Sequence, residues 1–492
     1  MSVILGIDLG TSSVKTMLLD SGSGVIATEA VSYDVSIPAE GYAEQDPDMW
    51  WDALKSVLER LRTRYLEEYN NIKAIGLSGQ MHGLVMLGSE GTPLRPAILW
   101  LDQRSEKQVR KIQEEMSMED MGEIFCNRVA VGFAFPSLLW VRENEPELFS
   151  RINKIMMPKD YIRCRLTGNM GSDVSDASSS ILFDTKHRRW SREVIRRFHL
   201  PENIFPECGE SADIAGYITE ECEKECGLKQ GVPVVFGSGD QQAQSIGNGV
   251  FQEGSIIANI GTGGQISAFI KEPVYDPKLR THTFCHAVRK AYTIYGATLC
   301  SGMSLNWFRD SFFPNKKFSA LSEMAAEVPA GSEGLLYLPY LSGERTPHMD
   351  PKAKGMFFGM TLGHDGRHFA RAVMEGVVFS LRDSLTIFKE LGIDGEMIIA
   401  SGGGAKSEVW LQIQADIFHK KVKVCTVKEQ ACLGACIIAG TGCGIFSSVA
   451  EGAGQLVSFC NRIYIPSANN GKLYDQQYEK FRKLYDATKE FM

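Results

Sequence analysis

Two stretches of this chain share one local plan. Residues 3–20 (VILGIDLGTSSVKTMLLD) place an apolar run, a Gly-Thr-Ser-Ser turn and a second apolar run in succession. Residues 256–270 (IIANIGTGGQISAFI) do the same around Gly-Thr-Gly-Gly. Each reads as a strand, a tight glycine turn and a returning strand. A glycine-turned hairpin that recurs half a chain later points to a duplicated domain. The length agrees, since 492 residues exceed what one ordinary core organises.

Between and after these hairpins, apolar strands alternate with amphipathic helices. Residues 46–65 read as a helix with Asp46 as cap, Pro47 at its first position, and Leu54, Leu58, Leu61 and Tyr65 at helical spacing. Residues 72–78 read as a strand, GLVML at 83–87 as another, and 232–239 as one buried strand ending in glycines before Asp240. In the second half, the short strand MIIAS precedes a glycine-rich turn feeding a helix at 402–418, and ACLGACIIAG at 431–440 reads as a buried helix of small residues. The segment 247–255 is the expected boundary between halves. Strand–helix alternation, twice over, gives α/β with mixed sheets.

Charge narrows the function classes. The chain carries 52 basic and 60 acidic residues, a net charge of −8, so no basic surplus tracks a nucleic acid backbone. No stretch approaches the roughly 18 uninterrupted apolar residues of a membrane span. The apolar start is broken at Asp8 without a basic segment before it, which disfavours a signal peptide. Twelve cysteines, several in apolar runs, suit small buried thiols in a reducing compartment, and the expected location is the cytoplasm.

Three glycine-rich turns, Gly10–Ser13, Gly261–Gly264 and Gly402–Gly404, offer backbone N–H groups that no side chain shields, and such groups suit phosphates. Each alone is weak evidence, because a glycine turn usually only turns the chain. Neither GxxxxGK[ST] nor GxGxxG occurs, which leaves P-loop and Rossmann enzymes without support. Asp8, amid aliphatic neighbours beside the first turn, suits a carboxylate that holds magnesium near phosphates. Asp240 follows Gly-Ser-Gly at a strand's carboxyl end, with a helix expected from Gln241. There it would either cap that helix, stay ionised and take a hydroxyl proton, or do both. Gln80 and His82, in SGQMHG, can hydrogen-bond sugar hydroxyls. His282, Cys285 and His286 resemble part of a zinc site but have no fourth ligand and sit in a strand. Cys222 and Cys226 lie on a charged helix with nothing to activate either thiol.

These residues resemble the FGGY carbohydrate kinases. GIDLGTSSVK is similar to the family's first phosphate turn, GTGG at 261–264 to its second, and GGGAKSE at 402–408 to its adenosine turn, while residues 355–375 fit its C-terminal signature. SGQMHG, MPKDYIRCRLTG at 157–168, SDVSDAS at 172–178 and LPYLSGERTPHMDPKAKG at 338–355 are similar to members that phosphorylate D-xylulose. The resemblance implies two ribonuclease-H-like domains of the actin-like ATPase kind, 1–246 with the sugar site and 247–492 with the nucleotide site, and a cleft between them. It implies ATP and Mg2+ as cosubstrate and cofactor, and a homodimer. Asp240 becomes the catalytic base and Asp8 the acidic residue near magnesium. Gln80, Met81, His82, Asp240 and Gln241 fall in the sugar site. Thr11, Ser12, Ser13, Lys15, Gly261, Thr262, Gly403, Gly404 and Ala405 fall at the nucleotide. Gln241, Gly263 and Ser137 depart from the family pattern, where Asn, Ser and Lys are usual. Glycerol, ribulose, gluconate or erythritol is the alternative acceptor, and a non-metabolic actin-like ATPase or a sugar-binding protein without catalysis the more distant reading.

Overall fold

A computed structural model describes residues 2–492. The first hairpin is β1 (Val3–Leu9) and β2 (Ser13–Asp20), antiparallel and in continuous register from Val3↔Asp20 to Leu9↔Val14. β3 (Gly24–Ser32) extends the sheet on one side, and β4 (Ile72–Gly79) lies parallel to β1 on the other. α1 (Pro47–Arg64) connects them; Asp46 accepts from the Asp48 N–H at 3.0 Å, and Trp50, Leu54, Leu58 and Leu61 are buried against the sheet. β5 (Ile214–Tyr217), β6 (Pro233–Val235) and β7 (Ser238–Gly239) complete a seven-stranded sheet of order β5-β6-β4-β1-β2-β3, with β7 also on β4. Two helices, α2 (Pro158–Thr167) and α3 (Val174–Ser178), stand beside β7, and α4 (Asp240–Gly247) leaves it.

The single strand expected over 232–239 is thus two. Gly237 breaks it at φ 77°, where a Cβ would lie 2.2 Å from the Leu77 carbonyl oxygen. Only glycine tolerates both the positive φ and that approach. The break brings Ser238 and Gly239 alongside Ser78 and Gly79.

The second half repeats the plan. β8 (Gly254–Ile260) and β9 (Gly264–Ile270) form the second hairpin, β10 (His282–Cys285) and β11 (Tyr292–Thr298) flank it, and β12 (Gly395–Gly402) and β13 (Lys421–Val424) lie parallel to β8, giving the order β10-β11-β9-β8-β12-β13. Helices α5 (Gly302–Phe312), α6 (Gly366–Glu390), α7 (Glu408–Phe418) and α8 (Gln430–Gly442) cover it or link it to the first half. The duplication is positional: Asp8 sits opposite Ser78 on the parallel neighbour of β1, and Asn259 sits opposite Ser401 on the parallel neighbour of β8.

α4 ends at Gly247, where the boundary segment begins. The two halves nevertheless share a core, because α8 packs on the first sheet. Ile4, Met17 and Ala74 of that sheet are buried with Leu433, Cys436 and Ile437 of α8. The approach is backbone to backbone: a Cβ on Gly76 would lie 2.1 Å from the Ala435 carbonyl oxygen. α4 and α8 cross through reciprocal glycines, Gly434 against the Ala243 carbonyl and Gly247 against that of Gln430; an added Cβ at either would lie 1.9 Å from the carbonyl oxygen it faces. The small-residue composition of 431–440 is what lets this helix lie so close.

Candidate active site

The carboxyl ends of β1, β4 and β7 lie side by side, and each ends in residues that face one cleft. Asp8, on β1, accepts a hydrogen bond from the Ser78 hydroxyl at 2.9 Å. Burial pushes its carboxyl above the usual range, while Ser78 and Lys15 act in the opposite sense. The following turn is clamped from three sides. Gly10 N–H donates to the Ser13 carbonyl (2.9 Å), Tyr33 O–H to the Gly10 carbonyl (2.6 Å), and Gln45 Nε2 to the Thr11 carbonyl (2.8 Å). Trp100 Nε1 donates to Thr11 Oγ1 at 3.0 Å. Ser12 is exposed and Ser13 half-buried, so the turn opens toward the cleft. Lys15, expected at the nucleotide, instead donates to Glu429 Oε2 at 2.7 Å and ties β2 to the start of α8.

Asp240 is the first residue of α4, with Gly239 at the cap position. It is therefore not the helix cap that the sequence left open. Nor does it simply stay ionised: burial raises its carboxyl to about 7, the Asp8 charge adds to the rise, and Gln241 opposes it. A carboxylate titrating near neutrality is poised to accept a proton.

Residues 80–82 form the wall beside it. Gln80 is buried, its N–H donating to the Leu9 carbonyl at 2.8 Å and its Nε2 to Gln45 Oε1 at 3.1 Å, which leaves Gln80 Oε1 without a partner. Met81 packs on Gly239, whose added Cβ would lie 2.8 Å from Met81 Cγ. His82 has φ 70°, and its Nδ1 lies 2.8 Å from the Ser179 carbonyl. A carbonyl only accepts, so Nδ1 carries the proton and Nε2 keeps a lone pair for an incoming hydroxyl. Burial holds this imidazole neutral, at about 4, and the Arg345 charge acts the same way.

Across the cleft, a cavity of about 480 Å3 is lined by Gly261, Thr262, Gly403, Gly404, Ser407 and Trp410 among others. The second turn is pinned to the start of α5: Gly302 N–H donates to the Gly261 carbonyl (2.8 Å), and the Ser301 and Met303 N–H groups to that of Thr262. A Cβ on Gly263 would lie 2.8 Å from the Thr298 carbonyl oxygen, so as built this turn excludes the Ser that the family pattern usually has. Ala405 lies outside the cavity lining; it packs partly buried against the second core. Two phosphate-type turns from separate sheets, two carboxylates between them and a polar wall on one side are the equipment for moving a phosphoryl group. Models of the FGGY family of carbohydrate kinases match both halves, the N-terminal domain over residues 3–247 and the C-terminal domain over 257–443.

The chain belongs to the FGGY carbohydrate kinases. As a sugar kinase it has close full-length relatives. It is 40% identical to a xylulose kinase of Lactococcus lactis over 492 residues, 100% of this chain and 98% of that one. It is 32% identical to a gluconokinase of Bacillus subtilis over 452 residues, 89% of this chain and 87% of that one. The crystal structure of a xylulose kinase from Brucella ovis superposes with a TM-score of 0.94 at 32% identity, covering 100% of both chains.

Several site residues of this kinase escape a reading of the sequence. His282, set aside there as part of an incomplete zinc site, stands beside His82 in the wall next to Asp240. Its Nδ1 lies 3.1 Å from Asn127 Oδ1, its ring stacks on Phe284, and Phe133 packs on both His282 and His82. Tyr295, opposite His282 on β11, is buried with an unpartnered hydroxyl within reach of the Asp240 field. His286 accepts from the Val288 N–H at 2.9 Å, so the apparent zinc residues serve other tasks. Among the described residues, the one group of carboxylates close enough for a cation is Asp160, Asp173 and Asp176. Lys159 already fills it, its Nζ 2.6, 2.7 and 3.4 Å from the three. This buried cluster supports the site from behind: Ser175 Oγ accepts from the Gly239 N–H (3.1 Å), and Ser179 holds His82. Ser137 is buried in the helix Ala134–Asn144, and nothing in the structure explains the departure from Lys.

Proposed function

We propose that this kinase transfers the γ-phosphoryl group of Mg-ATP to D-xylulose, giving D-xylulose 5-phosphate and ADP. The observation that carries the reading is the full-length likeness to xylulose kinases, 34–40% identical across 98–100% of this chain in six curated relatives. The site is consistent with it. Asp240 accepts the proton of the terminal hydroxyl, and the oxygen attacks the γ-phosphorus in line as the bond to the ADP oxygen breaks. His82 Nε2 and Gln80 Oε1 accept hydrogen bonds from other sugar hydroxyls, with Met81 and Gln241 completing the wall. Thr11, Ser12 and Ser13 face the phosphates from the first half. Gly261, Thr262, Gly403 and Gly404 hold them and the nucleoside from the second, so 1–246 carries the sugar site and 247–492 the nucleotide site.

Asp8 is fitted to magnesium. One of its oxygens is engaged by Ser78, and burial disfavours its charge in the absence of a cation. Bound there, the ion supplies neutralisation of the phosphate oxygens. We further read the enzyme as cytoplasmic and homodimeric; no described helix is long and apolar enough to cross a membrane.

The test is ADP release with Mg-ATP across D-xylulose, L-xylulose, D-ribulose, L-ribulose, glycerol, erythritol, gluconate and no sugar. Stimulation by D-xylulose alone is expected. Preference for gluconate, the substrate class named by one relative, or for any other polyol would replace the acceptor and leave the chemistry. Hydrolysis indifferent to every sugar would overturn the proposal.

A further inference from the structure

Arg345 has been given no role so far, and its surroundings single it out. It sits in the loop after the short strand Leu336–Leu338, between two residues pinned to the end of β11. Glu344 Oε1 accepts from the Leu299 N–H at 2.9 Å and from the Arg345 N–H at 2.7 Å, and Ser380 O–H donates to Oε2 at 3.2 Å. Thr346 N–H donates to the Ala297 carbonyl at 2.9 Å, and its hydroxyl to that of Arg280 at 2.7 Å. Leu299 runs directly into Ser301, Gly302 and Met303, whose N–H groups hold the Gly261–Thr262 turn. The backbone of Arg345 is therefore mounted on the same loop as the second phosphate turn.

Its side chain is open to solvent. Among the described residues its guanidinium has no carboxylate within ion-pair distance and donates no hydrogen bond; the adjacent Glu344 is engaged with backbone N–H groups and Ser380. Its charge is felt at His82 and at His282, the two imidazoles of the sugar wall. Although the side chain reaches solvent, desolvation by the protein atoms around it holds the guanidinium below its ordinary range, against the pull of Glu344. A cation standing between the phosphate turn and the sugar wall without a counter-charge is incomplete. Neutral sugar hydroxyls do not compensate it, and closing the cleft over it unpaired would be costly. The anion that passes this point in the reaction is the phosphoryl group itself, and a guanidinium fork matches phosphate oxygens two at a time.

We propose that Arg345 is a catalytic residue of the kinase, contributed by the second half, which contacts the phosphoryl group in transit and then the phosphate of the sugar product. The proposal rests on the sugar-kinase reading of the cleft but not on the identity of the sugar. In the transition state the group carries charge on three oxygens between donor and acceptor, and a fixed cation there favours transfer over the ground state. After transfer, the same cation holds the new phosphate monoester until the cleft opens.

The experiment compares wild type with Arg345→Ala, Arg345→Met and Arg345→Lys, using whichever sugar of the panel wild type turns over. Expected for Arg345→Ala and Arg345→Met is a fall in kcat of about 10²–10³, with KM for ATP within about threefold. Calorimetric affinity for the sugar phosphate in the presence of ADP should weaken by about tenfold or more. Arg345→Lys should regain part of both, and added guanidinium ion should raise kcat of Arg345→Ala alone. Equal melting temperatures and near-ultraviolet spectra establish folding; if Arg345→Ala fails that check, the Met and Lys variants decide. A kcat within threefold of wild type together with unchanged product affinity overturns the proposal. An inert wild type with D-xylulose that is active with another sugar overturns the assigned acceptor only.

Discussion

The titration of Asp240 gives the residue-scale chemistry its signature. In the proposed reaction the group acts as a base only when deprotonated, and burial with the Asp8 charge places that step at about 7. Transfer should therefore be fully expressed above neutrality, with kcat/KM falling about tenfold per unit below it; a pH-rate profile from 5 to 9 checks this. Removing the Asp8 charge removes one of the two raising influences, so Asp8→Asn should move the acidic limb of its residual activity to lower pH. Asp240→Asn should lower kcat by about 10²–10⁴ while ATP affinity, measured calorimetrically, stays near wild type. The same substitution should stabilise the fold. A carboxyl whose folded pKa lies above its unfolded value loses native-state stability as pH rises from about 4 to 7. Asp240→Asn should therefore melt higher than wild type at pH 8, by differential scanning calorimetry, and close to it at pH 4.

Residues were legible where the chemistry is local in sequence. Asp8 with its turn and Asp240 with its Gly-Ser-Gly approach announce themselves within a few positions. The Lys15 ion pair was illegible because its partner, Glu429, arrives from the far end of the chain, and the packing of Ala405 because a glycine-rich motif does not say which of its residues faces the cavity. His282, Tyr295 and Arg345 belong to the second half yet lie near His82 or Asp240 of the first, and no spacing rule connects segments so far apart.

At the scale of elements, periodicity and turn chemistry located the two hairpins, α1, β4, β12, α7 and α8, while α2, α5 and the long α6 went unread, and packing decided details that no pattern shows. The 232–239 strand broke because Gly237 must turn the chain onto Ser78 and Gly79, a tertiary demand that an unbroken apolar run conceals. The crossing of α4 and α8 makes a second demand. Gly434→Ala would gain about 1 kcal/mol of helix propensity, but its Cβ would press on the Ala243 carbonyl at 1.9 Å. Overpacking of that kind costs about 1–3 kcal/mol, more than propensity returns. The variant should be less stable in urea, and an unchanged or raised midpoint would show that the helices separate freely. Lys159 sets the third. Its ammonium is the shared partner of Asp160, Asp173 and Asp176, all fully buried. Lys159→Met should destabilise by about 3–5 kcal/mol, because uncompensated buried carboxylates remain; chemical denaturation measures it.

On the scale of the whole molecule, the duplicated sheets are not two independent bodies. α8 comes from the second half, yet it covers Ile4, Met17 and Ala74 of the first sheet. A fragment of residues 1–247 should therefore expose that apolar face, bind a hydrophobic dye and unfold without a cooperative transition. Mixing it with 248–492 should restore both cooperativity and kinase activity, read by calorimetry and ADP release.

The reciprocal glycines also bear on how such a chain can change over generations. After a duplication, two copies ordinarily drift apart, each position free to follow its own task. At this seam they are not free: a side chain at Gly247 is refused by α8, and one at Gly434 is refused by α4. The cleft-facing positions have already diverged, as Asp8 and Asn259 illustrate. The ancestral likeness of the two halves is thus held most firmly where they touch, and least where they work.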